Sequence, residues 1–351
     1  MHRVRSFRLF SSSRPSPSSS LVSSHLPSLL SILPSPNSVL TPDSSDGPAE
    51  VSPYTTCWLG KYGYSATPSS NVLILRPTSA LEVAAVLKYA NSNSLPVVPQ
   101  GGNTGLVGGS VPSSSSAETP SLVLSLSRLN KIHSVSEEEK YIHCQAGCVL
   151  HDLQAAASAA GLLFPLSLGS SGSCQIGGNV ATNAGGEYYS RYGSVSSNLL
   201  GLTAVLPSGE VLDMHTTMRK SSAGFDLSKL FVGSEGTLGV VTDVCFALHP
   251  KPAGRALCVI AVESLEAAGK IEKRAREACG GDVAAVELMD WRVLKLVEEE
   301  LDVVAPFKVV AGEHGAGRFS RRQRGVVLFF FNSRASWFNL PHLQVTLFPL
   351  P

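Results

Sequence analysis

Residues Pro99–Pro112 read PQGGNTGLVGGSVP and follow a short apolar run that ends at Val98. Five glycines fall within nine residues of this stretch: Gly101, Gly102, Gly105, Gly108 and Gly109. Glycine destabilises the interior of a helix or strand by about 0.5–1 kcal/mol relative to alanine, so this density predicts a loop. Because glycine lets backbone N–H groups approach a ligand closely, such a loop favours an anion, with a pyrophosphate as the first choice.

Side chains and spacing narrow the interpretation of this first glycine loop. Asn103, Thr104 and Ser110 add short polar side chains that suit an anion. The glycine spacing matches neither GxGxxG nor GxxxxGK[ST], so the loop indicates neither a Rossmann fold nor a P-loop. The alternative is a surface linker that binds nothing.

Two more glycine-rich stretches occur later in the chain. Phe164–Gly186 reads FPLSLGSSGSCQIGGNVATNAGG and has no charged residue, and Gly233–Gly239 reads GSEGTLG. Loops of this kind, far apart in sequence, predict one extended anionic ligand held mainly by backbone amides. Glu235 is the only carboxylate of the third loop, and it either orients a loop amide or faces water.

Several segments together resemble the FAD domain of the vanillyl-alcohol-oxidase superfamily. They occur in the order PQGGNTGLVGGSVP, GSCQIGGNVATNAGG, RYGSV, LPSGEVLD and KLFVGSEGTLGVVT. Within the superfamily they most resemble the FAD-dependent D-2-hydroxy-acid dehydrogenases, and the resemblance covers about residues 60–308. This resemblance, and not the glycine spacing, implies that the ligand is FAD.

The implied fold class is α+β, with a two-lobed PCMH-type FAD-binding domain followed by the start of an α+β cap domain. We expect a leader over residues 1–50, the FAD-binding PCMH-type domain over 62–250, a partial cap or substrate domain over 251–310, and a divergent tail over 311–351. The cap strands and helices begin near Ala256, where the apolar pattern restarts.

The resemblance assigns the FAD site to the three glycine loops. It implies that the first loop holds the pyrophosphate through amides and short side chains, that residues 172–179 line the opposite side, and that residues 182–186 face the flavin ring. The predicted FAD-binding residues are Pro99, Gly101, Gly102, Asn103, Thr104, Gly105, Leu106, Gly109, Ser110, Pro165, Gly169, Gly172, Ser173, Gly177, Gly178, Asn179, Thr182, Asn183, Gly186, Gly236 and Val241.

The residue that follows the paired glycines of the first loop bears on how FAD is attached. Superfamily members with a covalently attached flavin often carry a histidine at this place, whereas this chain has Asn103. A carboxamide cannot form that link. The resemblance therefore implies noncovalent FAD.

Catalytic residues remain unknown from the sequence. Oxidising a 2-hydroxy acid with a flavin requires a base for the hydroxyl proton and a cation for the carboxylate. The resemblance implies a divalent metal bound by two histidines and a glutamate, but those motifs are not found, so no metal ligand is assigned. Glu313 and His314 lie in EHGAG, which is similar to a late family motif. We interpret EHGAG as coincidence, because its partner motif is absent and one Glu–His pair supplies too few ligands.

Composition excludes several classes of partner. The net charge of +1 gives no reason to expect nucleic acid or an anionic membrane. No apolar run reaches the roughly 18 residues that a membrane span requires. The seven cysteines form no CxxC pair, which favours reduced thiols in a non-secretory compartment.

The first 50 residues differ in composition from the rest. They are rich in arginine and serine, and no acidic residue precedes Asp43. This pattern is typical of a transit peptide, with the mitochondrial matrix as the first destination and a plastid as the second. The alternative is a disordered tail of the same composition. We expect the folded part to begin near Tyr62.

Residues 311–351 do not resemble the corresponding segment of the family. Their irregular, Pro- and Phe-containing end suggests an out-of-frame or read-through tail. On this interpretation the chain lacks the substrate and metal half of the enzyme, and we expect it to be inactive or nearly so.

The family reaction that the resemblance implies is oxidation of D-2-hydroxyglutarate to 2-oxoglutarate. Electrons then pass to an electron-transfer flavoprotein, and a homodimer is allowed. One alternative is a dehydrogenase of D-lactate or glycolate, which shares the FAD loops. The other is a non-catalytic FAD-binding or misfolded fragment.

Overall fold

The computed structural model describes residues 21–42, 47–58, 60, 72–112, 121–262, 264–301, 308–309, 318–319, 325–331 and 345–350. Two helices, α1 (Leu21–Ile32) and α2 (Gly47–Thr55), precede the predicted FAD domain. Helix α1 inserts Leu29 into the main core, and Leu33 directly after the helix joins it; they are 0% and 1% exposed. The predicted start of the folded part near Tyr62 is therefore too late, although Tyr62 itself lies outside the described residues.

The first lobe is a four-stranded sheet with helix α3 beside it. Its elements are β1 (Val39–Leu40), β2 (Val72–Leu75), α3 (Ala80–Ser92), β3 (Val97–Gln100) and β4 (Ser121–Ser125), in the strand order β1-β2-β4-β3. Strands β2 and β3 both run parallel to β4, and all residues of β2 are buried, as expected for a central parallel strand. Ser79 caps α3 by accepting from the Glu82 amide.

The second lobe is a five-stranded antiparallel sheet with short helices packed on it. Its strands are β5 (Ile132–Ser136), β6 (Tyr141–Gln145), β8 (Leu199–Val205), β9 (Val211–Met214) and β10 (Val240–Ala247), in the order β5-β6-β10-β8-β9. The remaining elements are α4 (Leu150–Ala159), β7 (Leu162–Leu163), α5 (Ile176–Ala181), α6 (Tyr189–Tyr192), α7 (Val195–Asn198), α8 (Ser228–Phe231) and β11 (His249–Pro250). Phe164 stacks on Phe246 with ring centroids 4.9 Å apart, which joins the second glycine loop to β10.

The predicted cap region forms a separate sheet. Its elements are β12 (Arg255–Val262), α9 (Leu265–Cys279), β13 (Val283–Asp290), α10 (Trp291–Leu301), β14 (Lys308–Val309), β15 (Arg318–Phe319), β16 (Gly325–Phe331) and β17 (Val345–Leu350). The four-stranded sheet has the order β13-β16-β12-β17. The sequence predicts an irregular end for residues 311–351, but strands β16 and β17 both pair with β12. Backbone pairing to an apolar strand thus orders segments that local sequence pattern does not identify.

Two further observations concern the cysteines and possible membrane-spanning helices. All seven cysteines are free thiols. In the part of the chain that the structure describes, no helix combines the length and the hydropathy needed to cross a bilayer.

Candidate functional site

Three loops converge on one pocket between the two lobes. The first loop leaves β3 after Gln100, the second contains α5, and the third connects α8 to β10. They enclose a cavity of about 410 Å³, which lies within the size range of small-molecule sites. The sequence prediction that the glycine loops share one ligand region is thus consistent with their placement in the fold.

Side chains of the first loop hold it to helix α2 and the residue after it. Asn103 Nδ2 donates to the carbonyl oxygens of Pro53 at 3.0 Å and Thr56 at 2.7 Å. Ser110 Oγ donates to Asn103 Oδ1 at 2.7 Å. We expected the side chains of Asn103 and Ser110 to hold an anion, but these bonds direct them to the protein instead. At Asn103 and Ser110, it is therefore the backbone that can contact a ligand.

Gln100 fixes the point where strand β3 becomes the first loop. Its Nε2 donates to the carbonyl oxygens of Tyr54 at 2.9 Å and Ser110 at 2.7 Å, and the residue is 2% exposed. The two ends of the loop are therefore joined through one buried carboxamide. These hydrogen bonds fix the conformation of the loop backbone without a ligand.

The first and second loops touch at Gly102. A Cβ atom at this position would lie 1.9 Å from the carbonyl oxygen of Ser173 and 3.0 Å from Cys174 Cα. The second loop is in turn fixed from behind, since the Gly177 amide donates to the Ala146 carbonyl oxygen at 2.7 Å. Only glycine allows the two backbones this approach, so Gly102 sets the width of the pocket.

The third loop is attached to helix α5 through its backbone. The amide of Gly233 donates to Val180 O at 3.1 Å, and the amide of Glu235 donates to Ala181 O at 2.9 Å. Glu235 has a φ of 51°, a left-handed conformation that a residue other than glycine rarely adopts. Its side chain is exposed at the edge of the pocket, which favours the interpretation that it faces water.

Two buried amide side chains on the pocket wall each have an oxygen that accepts no hydrogen bond within the part of the chain that the structure describes. Gln175 and Asn179 are 8% and 6% exposed and both line the cavity. Gln175 Oε1 and Asn179 Oδ1 accept no hydrogen bond from the described residues. Buried polar atoms are almost always hydrogen-bonded, so these two oxygens indicate a bound ligand or water that donates to them.

Most of the predicted FAD-binding residues line this pocket. Those that do are Pro99, Gly101, Gly102, Asn103, Thr104, Gly105, Leu106, Gly109, Ser110, Gly177, Gly178, Asn179, Thr182, Gly236 and Val241. The structure does not bring the other predicted residues, Pro165, Gly169, Gly172, Ser173, Asn183 and Gly186, to the pocket lining.

The residues outside the lining have local structural reasons for their positions. Gly172 and Ser173 are exposed on the turn before α5, Gly169 is exposed there as well, and Pro165 is buried. Asn183 Oδ1 accepts from the Ser196 amide at 3.1 Å. A Cβ at Gly186 would lie 2.1 Å from Ser167 O, so this glycine serves a backbone crossing.

The structure adds lining residues that sequence reasoning missed. They are Gln100, Val107, Leu126, Leu168, Ser170, Cys174, Gln175, Ala181, Ala184, Ser234, Glu235, Gly239 and Val240. Most lie inside the glycine-rich stretches, where the sequence alone does not show which positions face the pocket. Ser170, Ser234 and Gly239 are even of the residue types that the prediction favoured. Leu126 and Val240 adjoin or belong to strands β4 and β10, and no local signal distinguishes them from ordinary core residues.

One family model matches part of the chain. Residues 72–215 match the family described as FAD binding domain. The fold is similar to alkyldihydroxyacetonephosphate synthase, with a TM-score of 0.67 and 19% identity over 87% of this chain and 55% of that one. A second crystal form of the same protein gives a TM-score of 0.66. The α+β, PCMH-type FAD-binding fold predicted from the sequence is thus confirmed.

Sequence relatives carry more specific names. The chain is 43% identical to the mitochondrial D-2-hydroxyglutarate dehydrogenase of Arabidopsis thaliana over 71% of this chain and 43% of that protein. It is 39% identical to the Bos taurus protein of the same name, over 77% of this chain and 49% of that one. A mitochondrial protein of Schizosaccharomyces pombe, provisionally named a D-lactate dehydrogenase, is 37% identical over 80% and 53%. The chain spans about half the length of these relatives.

Proposed function

We propose that the chain is a flavoprotein that oxidises D-2-hydroxyglutarate. The premise is that residues 72–215, which match the FAD binding domain family, form an FAD-binding domain. The reaction converts D-2-hydroxyglutarate to 2-oxoglutarate and belongs to the oxidoreductases that act on CH–OH groups. The observation that carries the proposal is the identity of 39% and 43% to two proteins named D-2-hydroxyglutarate dehydrogenase.

The pocket fits FAD in its donor and acceptor set. Backbone amides of residues 101–105 and of Gly178 suit a pyrophosphate, and the buried oxygens of Gln175 and Asn179 suit N–H or O–H donors of the cofactor. Among the described residues no lysine or arginine lines the pocket, so neutral amides would have to bind the negative charge. FAD, when bound, supplies an acceptor for the hydride that leaves the hydroxyl-bearing carbon.

We propose roles for the chain's own residues on this basis. Gly101–Gly105 bind the pyrophosphate through the backbone, because the side chain of Asn103 is occupied in holding the α2 segment. Leu126, Val240 and Val241 contribute apolar wall and exclude water from the cavity. Thr182 and Gly236 complete the site, while the predicted residues outside the lining act at most as supports for the loops.

The lining residues do not fit the divalent metal that the resemblance implies. Those that the structure describes offer one carboxylate, Glu235, and one thiol, Cys174, and no histidine. A zinc-type site needs at least three protein ligands, so no step is assigned to a metal here. The Glu313 and His314 pair lies outside the described residues.

The proposed partners and compartment follow the same relatives. We propose a 2-hydroxy acid as substrate, an electron-transfer flavoprotein as acceptor, and a homodimer as the assembly. The two D-2-hydroxyglutarate dehydrogenases are named mitochondrial, which supports the mitochondrion, with the matrix ahead of a plastid.

Two alternatives have support of their own. The Schizosaccharomyces pombe relative supports D-lactate as the substrate. Glycolate is proposed from the sequence resemblance alone. A non-catalytic FAD-binding role is supported by the absence of lysine, arginine and histidine from the described pocket lining, since a substrate carboxylate needs a cation.

Anaerobic reduction of the bound flavin separates these functions. We expect D-2-hydroxyglutarate to bleach the visible flavin band of the 351-residue chain faster than D-lactate or glycolate. We also expect the bleaching to be slow, because the described lining offers no cation. Faster bleaching by D-lactate or glycolate would support the first alternative. A bound flavin that none of the acids bleaches would contradict the proposal and support the second.

The attachment of FAD gives a separate prediction. Asn103 has no nucleophilic atom that could bond the flavin, so we expect acid precipitation to release all of the flavin into the supernatant. The measurement is the absorbance of the supernatant against that of the redissolved pellet. Flavin that stays with the pellet after repeated washing would show that the link is covalent.

A further inference from the structure

A cluster of histidines and an aspartate lies on the sheet of the second lobe, outside the proposed FAD pocket. His133 belongs to β5, His143 to β6 and Asp243 to β10, and one ligand atom from each lies within 4.8 Å of the others. In β6 the neighbours Ile142 and Cys144 are buried, so His143 points to the opposite face of the sheet. None of the three residues lines the FAD pocket.

Regular pairing and one irregularity in the sheet bring these residues together. Strands β10 and β6 pair in regular register, with Asp243 opposite Gln145, so Asp243 shares a face with Gln145 and His143. The pairing of β5 with β6 shifts between Ile132 and Ser134, which makes His133 an extra residue in its strand. Such bulges redirect side chains and are common at binding sites. His133 therefore reaches the same face as His143 and Asp243 through a local backbone change.

A third histidine covers the cluster from the chain that follows β9. His215 packs on His143 with ring centroids 4.2 Å apart, and His143 packs on His133 at 4.5 Å. The crossing chain lies close on the sheet, since a Cβ at Gly201 would be 2.5 Å from the carbonyl oxygen of Met214. Glycine at position 201 is thus required for His215 to reach the cluster.

The backbone of this crossing segment is held at both ends. The His215 amide donates to Asp213 Oδ1 at 3.0 Å. Farther along, Arg219 Nη2 donates to the carbonyl oxygens of Lys140 at 3.0 Å and Leu248 at 2.9 Å. His215 is therefore placed over the cluster by anchored backbone.

Charge and protonation suit a cation at this cluster. His133 Nε2 lies 3.0 Å from Asp243 Oδ1, and because a carboxylate only accepts, this nitrogen carries the proton. Imidazole nitrogens are the commonest metal ligands in proteins, and the Asp243 carboxylate supplies a negative charge beside them.

We propose that His133, His143 and Asp243 bind a divalent cation of the zinc class, with His215 or a water as the fourth ligand. Imidazole and carboxylate ligands in this combination suit Zn²⁺ and Co²⁺ better than Mg²⁺ or Ca²⁺. Bonds of about 2.0–2.1 Å place tetrahedral ligand atoms roughly 3.3 Å apart. His133 Nε2 and Asp243 Oδ1 are already 3.0 Å apart. The ligand atom of His143 lies within 4.8 Å of both and must approach them by at most about 1.5 Å. The metal replaces the proton between His133 and Asp243. This inference is independent of the proposed oxidation reaction.

Co²⁺ is the probe that distinguishes this cluster from the cysteines. Titration of the full chain with Co²⁺ should produce weak visible d–d bands that saturate at one equivalent, and Zn²⁺ should abolish them. A site made of imidazole and carboxylate gives no thiolate-to-metal charge-transfer band in the near ultraviolet. Strong charge-transfer bands would place the metal on cysteine and overturn the proposal.

Variants locate the bound cobalt. His143→Asn and Asp243→Asn should each weaken Co²⁺ binding by more than about tenfold, since loss even of a ligand's supporting partner costs about 10- to 100-fold. His133→Gln, at an exposed position, gives the same test if His143→Asn fails to fold. His151→Asn, at an exposed histidine on α4, is the matched control and should bind as the parent does. Equal binding by all variants, or no binding by the parent, would contradict the site.

Discussion

Gly102→Ala should abolish stable FAD binding and destabilise the chain by about 3 kcal/mol or more. The new methyl group would lie 1.9 Å from the Ser173 carbonyl oxygen and 2.8 Å from the Ser173 carbonyl carbon, both backbone atoms. Neither loop can yield easily, because Gln100 and Asn103 hold the first and the Gly177 amide holds the second. The loops must separate, which widens the pocket. The measurements are thermal unfolding and flavin absorbance per chain after gel filtration.

Gly281→Ala is the control for this prediction. Gly281 lies outside the three loops and the pocket lining, has no atom within 4 Å of an added Cβ, and is exposed. We expect its unfolding free energy to change by about 0.5 kcal/mol or less and its flavin content to match the parent. If Gly102→Ala binds FAD as well as Gly281→Ala does, the close approach of the two loops does not define the cofactor site.

Leu29→Ala should destabilise the chain by about 2–5 kcal/mol, the usual cost of truncating a buried leucine. Leu29 is 0% exposed and belongs to the main core with Leu33, although both lie within the stretch whose composition predicts a leader. Alanine keeps the helix propensity of α1 high, so the loss reports packing alone. Denaturant unfolding of the full chain measures it.

Leu30→Ala on the same helix is the control for Leu29. Leu30 is 48% exposed, and we expect its substitution to change the unfolding free energy by about 0.5 kcal/mol or less. A Leu29→Ala variant as stable as Leu30→Ala would show that α1 is not part of the core in solution. The sequence interpretation of residues 1–50 as a separate leader would then stand.

Local signals explain what the sequence predicts well about the fold. Ser79 before an apolar periodic segment predicts a helix over Ala80–Asn93, and the structure has it at Ala80–Ser92 with Ser79 as its cap. Gly161 predicts the end of the helix that begins at Leu150, and α4 ends just before this glycine, which has a φ of 69°. Pro207, Ser208 and Gly209 predict a turn, and the hairpin of β8 and β9 surrounds it. Helix caps, helix ends and turns depend on a few adjacent residues, so they can be predicted from the sequence without knowledge of the fold.

Features that depend on contacts distant in sequence escape the same reasoning. Helix α1 contains Pro27 and several serines, and only the packing of Leu29 and Leu33 shows that this segment belongs to the core. Strand β17 has little periodicity, and its pairing with β12 defines it. The bulge that redirects His133 depends on its partner strand β6.

The candidate site likewise has parts that local sequence predicts and parts that depend on contacts distant in sequence. Glycine composition predicts the three loops, because a close approach of two backbones, as at Gly102, requires glycine. It did not identify Gln175, whose unpartnered amide oxygen emerges only once the pocket is assembled. It also misassigned the Asn103 side chain, because the segment that Asn103 holds lies at and beyond the end of the predicted leader.

Reconstitution with FAD tests most directly whether the pocket between the three loops holds this cofactor. The purified 351-residue chain would be stripped of flavin, incubated with FAD, passed through gel filtration and examined by visible absorption, with circular dichroism as the check on folding. We predict a flavin spectrum at one FAD per folded chain, lost in Gly102→Ala and kept in Gly281→Ala. A folded chain that emerges colourless would contradict the assignment of this pocket to FAD.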